Sequence, residues 1–182
     1  MEKYYKVLFD GKEFDLPKAS IGEGKYVAVF DAYSNIDMSR ASAKDLTKKI
    51  RENKLDEADV IITAEVKGAA IAQRVADSLS KDLLVFRKNI KINFEKPIIA
   101  HVKTFTSGTN SLFIDEKDLI KYSGKKAIFV DDVISTGSTI FAIKEVLDKY
   151  KINLLNYCCV FKESNDVTED IIYVDYLPIF AE

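Results

Sequence analysis

The stretch from Ile128 to Thr139 most limits what this chain can become. Ile128-Phe129-Val130 is an apolar strand run, Asp131-Asp132 follows, and Val133-Ile134 leads into the hydroxyl-rich turn Ser135-Thr136-Gly137-Ser138-Thr139. Behind it, apolar residues at 140, 143, 146, 147 and 150 keep helical spacing, so the order reads strand, loop, helix. A helix start presents N–H groups without intrahelical partners and carries partial positive charge, which attracts phosphate. Hydroxyls of Ser135, Thr136, Ser138 and Thr139 surround that point, and Gly137 lets the backbone approach a ligand closely. The two acids cannot sit on the phosphate and are expected to face hydroxyls or a cation. On capping preference alone, the same residues would be a solvated strand end and a capped helix.

With 182 residues, 47% hydrophobic and 31% charged, the chain has the composition of one globular domain. A net charge of −2 argues against a nucleic-acid surface built on bulk positive charge. No apolar run reaches the roughly 18–20 residues of a membrane helix, and the first residues lack a secretory core, so the expectation is a soluble, cytoplasmic protein with no membrane partner. Cys158 and Cys159 are neighbours on an apolar run and would point to opposite faces, which makes them core residues rather than a disulfide. One histidine, His101, sits in a strand-like segment, leaving neither a zinc site nor a Ser-His-Asp triad a basis.

Before the central stretch, the first 36 residues alternate apolar runs with turn signals and predict a small antiparallel unit. Neither Gly24-Lys25 nor Gly124-Lys125 has the glycine five residues earlier that a Walker A loop needs, since Ala19 and Leu119 occupy those places. Ser42-Ala43-Lys44-Asp45 predicts a helix start, with the helix ending near Asn53. Ala58 to Ala64 is a buried strand, Glu65-Val66-Lys67-Gly68 a loop, and Ala69 to Leu79 a helix, repeating strand, loop, helix. Leu83 to Phe86 is a further strand closed by two cations, Arg87 and Lys88. Strands near Pro97 to Val102 and Ser111 to Ile114 flank a polar tip, Lys103 to Asn110, composed like an active-site flap or a plain hairpin. Lys151 to Phe161 and Ile171 to Phe180 complete the apolar segments.

An apolar strand, two acids, two apolar residues, a small residue and Thr-Gly-x-Thr, in that order, resemble the binding motif for 5-phosphoribosyl 1-diphosphate (PRPP) in type I phosphoribosyltransferases. The chain is most similar to their adenine phosphoribosyltransferase-like branch, from about Tyr26 to Phe180. Ser135 stands where hypoxanthine-guanine members place an aspartate base, although archaeal hypoxanthine-type members of this branch are also similar, and the base stays open. The resemblance implies a mostly parallel α/β sheet flanked by helices in a single domain, with a hood from residues 1–36 and a core from 37–182.

It also implies site roles. Ser135, Thr136, Gly137, Ser138 and Thr139 would hold the 5′-phosphate. Glu65, Val66, Lys67 and Gly68, with Arg87 and Lys88, would hold the diphosphate, helped by the following helix start. Asp131, Asp132 and Lys88 would be catalytic, and Tyr33 and Val133 would contact the base. Mg²⁺ would bind through substrate oxygens, with Asp131 and Asp132 as its nearest protein groups. The implied reaction joins PRPP and a purine base into a nucleoside monophosphate and diphosphate, in a protein that is a homodimer as family members usually are. Thr106 stands where adenine enzymes carry a flap glutamate. A PRPP- or nucleotide-sensing regulator therefore remains the alternative to an enzyme, while a receiver domain fails because its acids belong early in the chain.

Overall fold

An apolar strand such as Val60 to Ala64 can be accommodated only where both its faces are covered, and here all five of its residues are buried. The computed structural model describes residues 3–103, 109–163 and 170–181. In chain order, β1 (Tyr4–Phe9), β2 (Lys12–Gly22) and β3 (Lys25–Ala28) precede α1 (Ile36–Glu52), followed by β4 (Val60–Ala64), α2 (Gly68–Leu79) and β5 (Asp82–Phe86). A hairpin of β6 (Pro97–Lys103) and β7 (Thr109–Asp115) leads through α3 (Glu116–Lys121) to β8 (Lys126–Ile134) and α4 (Ser138–Lys149). The chain ends with β9 (Asn153–Lys162), β10 (Ile171–Tyr176) and β11 (Ile179–Ala181).

The core is a five-stranded sheet in the order β10-β9-β8-β4-β5, all neighbours parallel. From β4 the chain passes through α2 to β5 on one side; from β8 it passes through α4 to β9 on the other. Such a reversal opens a crevice at the strands' carboxyl ends, the usual ligand position in open α/β sheets. Alternate residues of each strand feed two cores. Ile61, Ile128, Val130 and Cys158 pack with α1, α2 and the amino-terminal strands, while Val60, Ile62, Phe129 and Cys159 pack with α4 and the hairpin. The two cysteines thus face opposite ways and are free thiols, as the pleat dictates.

The hood differs from the expectation in one respect. It is a four-stranded antiparallel sheet, β1-β2-β3-β11, so its last strand comes from the far end of the chain. The apolar run from Ile171 to Phe180 is two strands, not one, because it breaks at Leu177-Pro178: β10 stays in the core sheet and β11 pairs with β3. Phe9 and Phe30 of the hood side meet Phe161 of β9 edge-on, with ring centroids 5.6 and 5.3 Å apart, and join hood to core.

The start of α1 is also earlier than expected. Asn35 is its cap, accepting the Met38 N–H at 3.0 Å. Ser42 is buried within the helix with its hydroxyl on the Ser39 carbonyl, and the Asp45 carboxylate accepts the Asp10 N–H at 2.8 Å, so it holds the β1-β2 turn rather than a helix end. No helix among the described residues is long and apolar enough to cross a membrane. His101 lies on β6 opposite Ser111, a strand residue as expected.

Candidate functional site

The carboxyl ends of β4, β5 and β8 bring both candidate phosphate loops to one place. A cleft of about 720 Å³ is lined by Glu65 and Lys88 on one side and by Thr136, Ser138 and Thr139 on the other, with Asn110 to Phe113 of β7 closing it. At its edge a small cup of about 70 Å³ is formed by Asp131 and by Val133 through Ile140. That cup has room for only a few heavy atoms, since a water occupies about 30 Å³ of liquid. It is built as the sequence suggested. Gly137 takes a left-handed conformation with φ 73° as the residue before α4, and the first N–H groups of that helix have no intrahelical carbonyl to bond. Thr136 Oγ1 and Ser138 Oγ lie 2.8 Å apart, which ties the turn to the helix start.

β8 runs on through the acids as far as Ile134, so Asp131 and Asp132 are strand residues in the wall of the site rather than loop residues. Asp132 is buried, and its N–H donates to the Asp131 carboxylate at 2.9 Å. Asp131 keeps part of its surface open, yet chain atoms crowd its carboxyl. That enclosure first, and the Asp132 charge second, push its pKa well above the ordinary carboxylate range.

The loop from Glu65 to Gly68, the candidate for a diphosphate, is organised differently from what its sequence alone suggests. Gly68 serves close packing: a Cβ there would lie 2.0 Å from Asp131 Oδ1 and 3.1 Å from the Asp131 Cα, so the space expected for a ligand belongs to the acid. The start of α2 is also partly used, because the N–H groups of Ala69 and Ala70 turn back onto the carbonyls of Val66 and Lys67. The Glu65–Val66 peptide is cis. Glu65 acts as a clamp. Its carboxylate accepts the Arg87 guanidinium and the Lys88 N–H, each at 2.9 Å, with Lys91 Nζ 3.9 Å away. Burial raises its pKa, but the Lys88 N–H and then Arg87 outweigh this and leave it below the usual value.

Of the predicted diphosphate residues, Glu65 and Lys88 line the large cleft, whereas Val66, Lys67, Gly68 and Arg87 do not. Arg87 instead reaches Glu65 from a second groove beside β5. Val133 packs against the hood-side core and lines the small cup. Tyr33 is 56% exposed, and its hydroxyl donates to the Val66 carbonyl. Thr106 lies outside the described residues, as does the flap from 104 to 108. Sequence reasoning missed Asn89. Asn89 follows the Arg-Lys pair into the cleft, and Asp31 carries a carboxylate at the hood-to-core junction that accepts the Tyr33 N–H at 3.0 Å. Among the described residues no group of three or more His, Cys, Asp or Glu side chains is gathered to hold a metal.

Comparison with known proteins agrees with this architecture. The model of the phosphoribosyl transferase domain matches residues 31–178. An adenine phosphoribosyltransferase of Prochlorococcus marinus is 31% identical over 108 residues, covering 59% of this chain and 60% of the relative. A hypoxanthine/guanine phosphoribosyltransferase of Methanothermococcus okinawensis is 32% identical over 123 residues, 68% of this chain and 63% of the relative. The matches thus span about three fifths of these relatives. In fold, the crystal structure of adenine phosphoribosyltransferase from Thermoanaerobacter pseudethanolicus superposes with a TM-score of 0.71 at 17% identity, covering 96% of this chain and 95% of that one. A matched span running from the hood junction at Asp31 to the bend at Pro178 takes in every element that lines the cleft, and the chain belongs to the phosphoribosyl transferase domain family.

Proposed function

We propose that the protein transfers the phosphoribosyl group of PRPP to a purine base, adenine favoured, with hypoxanthine, guanine or xanthine as further candidates. The observation that carries this reading is the pairing in one cleft of Glu65 and Lys88 with the hydroxyl turn Thr136 to Thr139, while Asp131 lies on the wall of the adjoining cup. The 5′-phosphate takes the cup at the start of α4, the ribose hydroxyls face Asp131 and Asp132, and the diphosphate lies toward Lys88 and the loop that carries Lys67. The base lies under the hood, against Val133 and the ring of Tyr33. In the reaction the bond from C1 of the ribose to the diphosphate oxygen breaks, a ring nitrogen of the purine bonds to C1, and that nitrogen's proton is released. Positive charge grows on C1 and negative charge on the leaving diphosphate. Lys88 stabilises the second, and the acids hold the sugar and support the first.

Two adjacent carboxylates, with no third gathered beside them among the described residues, fit Mg²⁺ held mainly by substrate oxygens near Asp131 and Asp132, and the ion would supply charge neutralisation of the diphosphate. A homodimer is part of the same proposal and rests on analogy with the family alone. Two buried free thiols suit a reducing compartment such as the cytoplasm. Incubation of the protein with PRPP and Mg²⁺ and each purine base in turn, with diphosphate release as the readout, tests the proposal. Release with adenine is the expected result, and PRPP binding without release for any base would leave the site a sensor of PRPP or nucleotide.

A further inference from the structure

The exposed ring of Tyr33 and its bonded hydroxyl point to two separate tasks. The hydroxyl donates to the carbonyl of Val66, a group that also receives the Ala69 N–H at 3.3 Å, so one backbone oxygen joins the hood to the start of α2. The turn that aims Tyr33 is itself fixed, because Asp31 accepts the Tyr33 N–H at 3.0 Å. Glu65 holds the same loop from its other end through Arg87 and the Lys88 N–H. Val66 itself is 49% exposed. The hood contact is thus one tie on this loop, beside the Glu65 clamp and the packing of Gly68 on Asp131.

We propose that Tyr33 is a positioning residue for the diphosphate loop: its hydroxyl, through the Val66 carbonyl, sets the loop that presents Lys67 and so couples the hood to the leaving-group half of the site. This rests on the reading of the cleft as a PRPP site. Nearby charges agree with such a junction. The field of Lys67 helps hold the Asp31 carboxyl below its ordinary value, behind the larger effects of the Tyr33 N–H and the Ser34 side chain. The Tyr33 hydroxyl is pushed up by burial first, then by Asp132, Glu65 and Asp31.

Tyr33→Phe removes the hydroxyl and keeps the ring, which separates positioning from contact with a base. Hydrogen exchange of the amides from 66 to 70, measured without ligand, is expected to be faster in Tyr33→Phe. Its dissociation constant for Mg-diphosphate by calorimetry, and its KM for PRPP, should rise about three- to tenfold, the worth of one hydrogen bond, with the KM for the base unchanged. Unchanged exchange and diphosphate affinity in a variant of wild-type melting temperature would overturn the inference while leaving the PRPP site intact. An unaltered PRPP KM with a raised base KM would overturn it too, assigning the residue to the base. Wild-type protein that binds neither PRPP nor Mg-diphosphate would instead overturn the reading of the cleft, before any variant is made.

Discussion

Gly68 and Asp131 are packed so closely that the glycine's missing side chain is occupied by the acid's carboxylate, 2.0 Å from where a Cβ would stand. Two segments more than sixty residues apart in sequence are therefore packed directly against each other. Gly68→Ala should displace either the acid or the diphosphate loop. The expected cost is about 1–3 kcal/mol of stability, typical of overpacking, together with a raised KM for PRPP. Thermal denaturation and initial-rate kinetics on the same preparation check both.

Asp131 is expected to trade stability for function. Its pKa is higher in the folded protein than the ordinary 3.8. A carboxyl so shifted binds its proton more readily when folded, so its contribution to stability is complete below the ordinary value and is lost as pH rises through the raised one. Asp131→Asn keeps an acceptor for the Asp132 N–H and removes the enclosed charge. The melting temperature at neutral pH should rise by about 2–4 °C and lose part of its pH dependence, while turnover falls. Asp132→Asn, at the buried neighbour, should lower turnover about a hundredfold without that gain.

Glu65 works in the opposite sense. Its pKa is lowered in the folded protein from 4.5, so its contribution is present above that value and disappears as pH falls through the lower one. Glu65→Ala leaves the Lys88 N–H and Arg87 without their common acceptor and should cost about 1–2 kcal/mol. The gap in melting temperature between wild type and variant is expected to shrink as pH falls below 4.5. A constant gap would mean that packing, not charge, is what Glu65 contributes.

The two halves of the site should be separable. Thr139→Val removes one hydroxyl from the helix start and leaves the fold of α4 in place. Affinity for ribose 5-phosphate is expected to fall about tenfold, as for the loss of one hydrogen bond to a charged group, with affinity for Mg-diphosphate unchanged. Calorimetry with each ligand alone reads this directly.

Much of this arrangement was legible in the residues. Val60 to Ala64 and Ile128 to Val130 read as strands because a strand buried on both faces needs an unbroken apolar run, and Ser135 to Thr139 read as a turn into a helix because helix starts are signalled locally. What escaped was decided by contacts distant in sequence. Ser42 and Asp45 imitate a helix cap, but Ser42 packs inside α1 and Asp45 is claimed by Asp10, leaving the cap to Asn35. Gly68 looked like a place for ligand approach because nothing in its own loop announces Asp131. Arg87 looked like a second diphosphate cation, yet Glu65 draws it away. No local pattern could assign Ile179 to Ala181 to β3, since that pairing exists only once the core has brought the two together.

That last pairing has a consequence for the order of events in folding. Two strand-helix-strand units, β4-α2-β5 and β8-α4-β9, pair strands close in sequence, whereas β11 must find Lys25 to Ala28 across almost the whole chain. Closing so long a loop is entropically unfavourable until other contacts have already shortened it. The turn from Ser135 to Thr139 can thus form within one local unit, early and alone, while the antiparallel sheet has to wait. When the chain is warmed or diluted into denaturant, the reverse should hold: the antiparallel sheet opens first, while the turn at the start of α4 is still formed.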